Sequence, residues 1–229
     1  MASSEFDPDR VTTITFDSYS TVVDVASAEA ALEGHVDDPG AAASLWRSHS
    51  LFYTMVANHI GEFETFYELN RHAATYALEA FGADVDEETR DEITSIYHDL
   101  RTFDDVREGM ERLAESYDLY VVSNGNPEML ETMVETAGIG DVLADTISAA
   151  EVETYKPDAE IYRHAAARTG TPIDEIAHTT AGWFDVQGAV HAGMQGVWVN
   201  RDGGPWPTYG PEPNLEIDSF HGLADELGL

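Results

Sequence analysis

Forty-four acidic residues against eleven basic ones give this 229-residue chain a formal net charge of -33 at neutral pH, although only 24% of its residues are charged. A surface of that sign makes nucleic acid and anionic membranes poor partners, and the absence of cysteine excludes disulfides, thiol catalysis and cysteine-type zinc sites. The acids are spread along the chain and Lys156 is its only lysine, a pattern expected of a protein adapted to high salt, where screening removes self-repulsion.

The first ten residues are polar and carry no signal-peptide core, and no apolar run approaches the ~18 to 20 residues that span a bilayer. A soluble, cytoplasmic protein is expected. Val11-Thr-Thr-Ile-Thr-Phe16 is β-branched and aromatic enough to be a buried strand, and it stops at Asp17. Val25 to His35 is Ala-rich and helical-looking, with Asp37-Asp-Pro-Gly40 as its break. From Ala41 the apolar residues Leu45, Phe52, Met55, Val56, Ile60 and Phe63 recur at helical spacing, and Phe66, Tyr67, Tyr76, Leu78 and Phe81 continue it. Asp86-Glu-Glu-Thr-Arg opens a further helix, with acids where the macrodipole favours them. The reading is a helical subdomain, residues 22–102, inserted into a core made of residues 1–21 and 103–229.

Strand and helix then alternate. Helices are expected over Asp104–Ser116, Glu128–Ala137, Ile161–Arg168 and Val186–Ala192. Strands are expected over Leu119–Ser123, Asp145–Ser148, Ile176–Thr180, Gly196–Asn200 and Leu215–Ser219. Asp202–Pro213 reads as an ordered surface loop. This alternation predicts an α/β fold with a doubly wound parallel sheet and right-handed crossovers.

Four strand ends or loops carry polar residues: Asp17, Ser123-Asn124, Lys156 in Tyr-Lys-Pro-Asp, and Asp185 in Gly-Trp-Phe-Asp. In a parallel sheet these edges converge on the side where open α/β folds bind ligands. Each has a plain structural reading as a cap, a turn or a surface ammonium. That reading fits Lys156 least, because the sequence avoids lysine everywhere else. A compact ammonium beside a carboxylate keeps the carboxylate ionised and ready as a nucleophile.

Asp17-x-Tyr-x-Thr21, Ser123-Asn-Gly125, Lys156-Pro-Asp158 and Asp185 together resemble the four motifs of the haloacid dehalogenase superfamily, over nearly the whole chain. Leu45-Trp-Arg47, Tyr53 and Tyr162 carry the likeness further, to its type II L-2-haloacid dehalogenases. The resemblance implies a Rossmann-like core with a helical cap, and hydrolysis of short-chain L-2-haloacids to D-2-hydroxy acids through an ester on Asp17. It implies catalytic roles for Asp17, Lys156, Asp185 and Thr21, and a halide cradle of Arg47, Asn124 and Phe184. Substrate contacts would come from Ser18, Tyr19, Ser123, Tyr162 and Thr180, with no cofactor or metal. It also implies a homodimer, for which the sequence carries no independent signal.

The deciding position is Tyr19, where phosphatases of the superfamily have a second Asp that protonates the leaving alkoxide and helps hold magnesium. A halide leaves without a proton. A magnesium-dependent phosphatase is therefore the alternative reading, and a catalytically impaired interaction protein of the same fold is another. Two departures stand out: Ser20 lies where the family usually has Gly, and Gly182 where many members have Asn, with Thr180 in place of Ser. The scattered histidines, His49 and His59 among them, form no metal-binding pair backed by a third ligand. Gly138-Ile-Gly140 reads as a helix stop, not a dinucleotide loop.

Overall fold

The computed structural model describes residues 5–229. The first apolar run yields β1 (Thr13–Phe16), buried at every position. It pairs in parallel with β4 (Asp118–Ser123) on one side and β6 (Ile176–Thr180) on the other. Beyond β4 lies β5 (Asp145–Ser148), and beyond β6 lie β7 (Gln195–Val199) and β8 (Leu215–Ile217). The result is one six-stranded sheet of order β5-β4-β1-β6-β7-β8, parallel throughout. From β1 the chain builds outward to β4 and β5, then crosses to β6 on the other flank. The order reverses at β1, which puts the ligand crevice of such a sheet at the residue after Phe16.

Side-chain alternation along β1 assigns the two faces. Phe16 sets its ring 4.7 Å from that of Phe220, in α8 (Phe220–Glu226), which packs on α4 (Val106–Ala114). Thr15 points the opposite way, to His178, on the face covered by α6 (Ala159–Thr169) and α7 (Trp183–Ala192). These two helices meet closely at Gly188, where an added Cβ would lie 2.5 Å from Tyr162 Oη. The glycine thereby lets Tyr162 reach across toward α7. The remaining helix of this part, α5 (Pro127–Ala137), ends at Gly138 with φ 63°.

Between β1 and β4 the chain is mainly helical: α1 (Pro39–Ile60), α2 (Phe66–Ala80) and α3 (Glu87–Ser95). Each start has its cap, with the side chains of Asp38, Thr65 and Asp86 accepting from the N–H groups of Ala41, Glu68 and Thr89. Trp46 ties α1 to α2, its indole N–H lying 3.0 Å from the carbonyl and 2.9 Å from the side-chain oxygen of Asn70. Where this segment leaves and rejoins the sheet, β2 (Val23–Asp24) and β3 (Arg101–Thr102) form an antiparallel pair.

Three details differ from the expected pattern. Val25–Leu32 forms 3-10 turns rather than an α-helix. Asp37-Asp-Pro-Gly starts α1 instead of breaking a helix, because Pro39 fits the first turn and Asp38 caps it. The pair β2–β3 and helix α8 are additional. Among the described residues no helix is long and apolar enough to cross a membrane.

Candidate active site

Asp17 continues the line of β1, its N–H donating to the Thr179 carbonyl at 3.0 Å. The chain then doubles back, with the Ser18 carbonyl accepting from the N–H groups of Val22 and Val23 at 2.8 and 3.0 Å. Ser20 sits in this turn at φ 72°. Glycine adopts that left-handed conformation freely, whereas an L residue pays about 1–2 kcal/mol. The hydroxyl of Thr21 accepts from Ala181 N–H at 3.0 Å and donates to Asp17 Oδ2 at 3.1 Å, which locks the turn to the end of β6.

Lys156 occupies the centre. Its Nζ donates to Asp17 Oδ1 at 2.7 Å, to Asp185 Oδ2 at 2.7 Å and to the Val122 carbonyl at 2.9 Å. All three ammonium protons are thus committed to protein acceptors, so Lys156 orients Asp17 and has none left for a ligand. Burial by itself would push this ammonium down. The carboxylates of Asp17 and Asp185 reverse that and hold it above its ordinary value.

Behind Lys156, Asp185 is 1% exposed. Its Oδ1 accepts from Tyr162 Oη at 2.6 Å and from His178 Nε2 at 3.1 Å. Burial pushes Asp185 up, but the charge of Lys156 and the hydrogen bonds from His178 and Lys156 hold it well below the usual carboxylate range. The hydroxyl of Tyr162, itself buried beside this carboxylate, is raised well above its ordinary value, chiefly by desolvation.

The cavity in front of Asp17 is lined by Tyr19, Arg47, Leu51, Phe66, Asn124 and Phe184, with Lys156 and Asp185 on its floor. It encloses about 20 Å³, room for roughly one water. Arg47 enters from α1 and reaches Ser20 Oγ at 3.4 Å. Among the described residues no carboxylate lies within ion-pair distance of it. The Asn124 side-chain oxygen accepts the N–H of Lys156 at 2.9 Å, so its NH₂ end is the one left for the cavity. Tyr19 packs between Phe66 and Tyr97, with ring centroids 5.8 and 5.7 Å away. Its hydroxyl is buried without a protein partner. A guanidinium without a carboxylate partner, a free amide end, an unpartnered phenol and an aromatic ring line the cavity with a carboxylate nucleophile, an arrangement able to receive an anionic or anion-releasing ligand.

The structure thus brings Asp17, Tyr19, Arg47, Asn124, Lys156, Phe184 and Asp185 to one cavity, with Thr21 hydrogen-bonded to Asp17 beside it. Four other expected site residues do not line it. Ser18 and Ser123 are fully buried and hydrogen-bond to each other at 2.5 Å, with Ser123 Oγ also accepting from Gly125 N–H. Thr180 Oγ1 accepts from Gly182 N–H at 3.0 Å. Tyr162 stands behind Asp185. Leu51 and Phe66 line the site although helical periodicity assigns such residues to packing. Tyr97 lies beside Arg47, and His178 beside Asp185, without having been expected there. The family motifs carry neither residue.

The haloacid dehalogenase-like hydrolase family model matches residues 11–193. The (S)-2-haloacid dehalogenase 4A of Burkholderia cepacia is 32% identical over 206 residues, covering 88% of this chain and 87% of that protein. The (S)-2-haloacid dehalogenase H-109 of Pseudomonas putida is 30% identical over 216 residues, covering 93% and 96%. A crystal structure of a dehalogenase with an intermediate complex superposes with a TM-score of 0.91 at 28% identity, over 96% of this chain and 98% of that one. The sheet order, the Asp17–Lys156–Asp185 arrangement and these likenesses agree, and the chain belongs to the haloacid dehalogenase-like hydrolases, in the family of the (S)-2-haloacid dehalogenases.

Proposed function

We propose that the protein hydrolyses short-chain L-2-haloalkanoic acids to D-2-hydroxy acids. The observation that carries this reading is a carboxylate, Asp17, paired to Lys156 and sharing one small cavity with Arg47, which no acid neutralises. An Asp17 oxygen attacks C2 in line, the carbon–halogen bond breaks with inversion, and an ester links C2 to Asp17. The guanidinium of Arg47, the NH₂ of Asn124 and the ring edge of Phe184 receive the halide. Water then adds to the Asp17 carbonyl carbon and the carbonyl–oxygen bond breaks. The former Asp17 oxygen leaves as the product hydroxyl, and one proton goes to solvent per turnover. The relatives named as (S)-2-haloacid dehalogenases, and the similar dehalogenase solved with an intermediate, support this reading.

The donor set does not fit the magnesium ion of a phosphatase. Lys156 Nζ already lies 2.7 Å from both carboxylates, Asp17 and Asp185, and Tyr19 stands where a second acid would be needed. Halide release from 2-chloropropionate should therefore proceed undiminished in EDTA. Activity lost to EDTA and restored by magnesium would favour the phosphatase reading.

Residues 22–102 act in this proposal as a cap that supplies Arg47, Leu51 and Phe66. Exposed Phe52, Met55, Val56 and Ile60 on α1 support a homodimer joined through that helix.

High-salt adaptation fits the way the basic residues are used. Arg10, Arg71, Arg101, Arg107, Arg112, Arg168 and Arg201 are each already ion-paired to Asp or Glu, which leaves most acids without a partner. Salt weakens such exposed pairs only slightly and relieves the repulsion among the remaining acids more. The melting temperature should rise between about 0.1 and 2 M salt, and kcat/KM for the anionic substrate should rise with it as the repulsive field is screened. A melting temperature flat over that range would contradict the high-salt reading.

A further inference from the structure

His178 is fully buried on β6, between Ala177 and Thr179, where a central parallel strand ordinarily carries an apolar side chain. A buried imidazole is costly unless both nitrogens find partners. Here both do. Nδ1 lies 2.8 Å from Thr15 Oγ1 on the neighbouring strand, directly opposite in the register, and Nε2 lies 3.1 Å from Asp185 Oδ1. A carboxylate only accepts, so the hydrogen is on Nε2. The ring is held a third time by Tyr162, edge-on at 5.6 Å. Every neighbour therefore aims the imidazole at one atom of Asp185, the residue that shares Lys156 with the nucleophile.

We propose that His178 is a positioning residue for the hydrolytic half of the reaction, holding Asp185 in place so that Lys156 stays aimed at Asp17. The inference rests on the dehalogenase reading above. In the free enzyme Lys156 is gripped by two carboxylates and the Val122 carbonyl. Once Asp17 is esterified it is neutral, and Asp185 becomes the one anion left to hold the ammonium. The ester carbonyl must then be presented to water by Lys156, with Asp185 as its only charged anchor. Loss of the His178 hydrogen bond should therefore slow ester hydrolysis and leave halide displacement nearly unchanged.

The test is single turnover with enzyme in excess over 2-chloropropionate, following halide for the first step and 2-hydroxy acid for the second. In His178→Leu, halide release should stay within about threefold of the unmodified enzyme and hydroxy-acid formation should slow tenfold or more. His178→Gln, whose amide offers a donor to Asp185 and an acceptor to Thr15, should recover most of that loss. Thr15→Val, which frees the far side of the ring, should slow the second step to a smaller degree and serves if His178→Leu does not fold. Equal slowing of both steps, unchanged hydrolysis in the folded Leu or Val variant, or a Gln variant as slow as Leu would each overturn the assignment. Absence of halide release by the unmodified enzyme would instead count against the dehalogenase reading itself.

Discussion

Lys156→Met is expected to lower turnover about 100- to several thousand-fold and to destabilise the fold. Lysine is 2% exposed here and stands between two carboxylates that are themselves 13% and 1% exposed. Removing one partner of a buried ion pair costs about 3–5 kcal/mol, because the remaining charge is stranded. In this site two carboxylates would be stranded facing each other. The chain escapes by unfolding more readily or by binding a proton between Asp17 and Asp185, and the second route disarms the nucleophile. A loss of transition-state stabilisation of similar size, at about 1.36 kcal/mol per factor of ten, corresponds to the stated fall in turnover. Arginine should not restore activity, since its planar fork cannot reach Asp17, Asp185 and the Val122 carbonyl from one atom as Nζ does. Chemical denaturation with halide-release kinetics on Lys156→Met and Lys156→Arg checks both halves. The pH dependence follows from the raised value of Lys156. A cation whose folded value exceeds its ordinary 10.5 gives its full stabilisation below that pH, and loses it as pH rises through the higher folded value. Alkaline unfolding through this group therefore begins above pH 10.5.

Slow hydrolysis relative to displacement is the second large effect expected, and Gly182 is its cause. Displacement needs an aimed carboxylate, which Lys156 and Thr21 supply. Hydrolysis also needs a water held on the correct face of the ester carbonyl and donors for the tetrahedral oxyanion, and glycine offers no side-chain amide for either. Losing one such donor costs roughly 2.7–4 kcal/mol, or 100- to 1000-fold. Thr180 is not placed to compensate, being fully buried with its hydroxyl against Gly182 N–H. A burst of halide should therefore precede slow turnover. Gly182→Asn should shrink the burst, because φ -76° and ψ 108° suit any residue. An added Cβ would meet Phe184 Cε1 at 3.3 Å and Asp185 Cβ at 3.5 Å, so only a slight shift of the Phe184 ring is needed. Linear halide release from the first turnover in the unmodified enzyme would refute this account of Gly182.

Much of the sheet was legible because buried parallel strands are short β-branched runs bounded by turns. Asp145–Ser148 and Ile176–Thr180 form strands over the expected residues. The convergence of Asp17, Asn124, Lys156 and Asp185 was legible too, since strand ends of a parallel sheet must meet. Legibility failed where a role depends on register or on a neighbouring helix. His178 reads as one polar residue in a strand until pairing sets Thr15 beside it and the first turn of α7 brings Asp185 over it. Leu51 and Phe66 have the spacing of packing residues, and only the approach of α1 and α2 to the sheet edge turns them toward Asp17. Ser18 and Ser123 show the converse. The family resemblance implies substrate contact for both, and the structure shows each hydrogen-bonded to the other, tying β1 to β4.

The central claim, that Asp17 is alkylated and then hydrolysed, is tested most directly by one turnover in oxygen-18 water with enzyme in excess, followed by mass analysis of the peptide containing Asp17. The account predicts label in the Asp17 carboxylate and unlabelled oxygen in the product hydroxyl, because water attacks the enzyme ester and not C2. Label in the product hydroxyl with none on Asp17 would show that water displaced the halide directly, and would contradict the account.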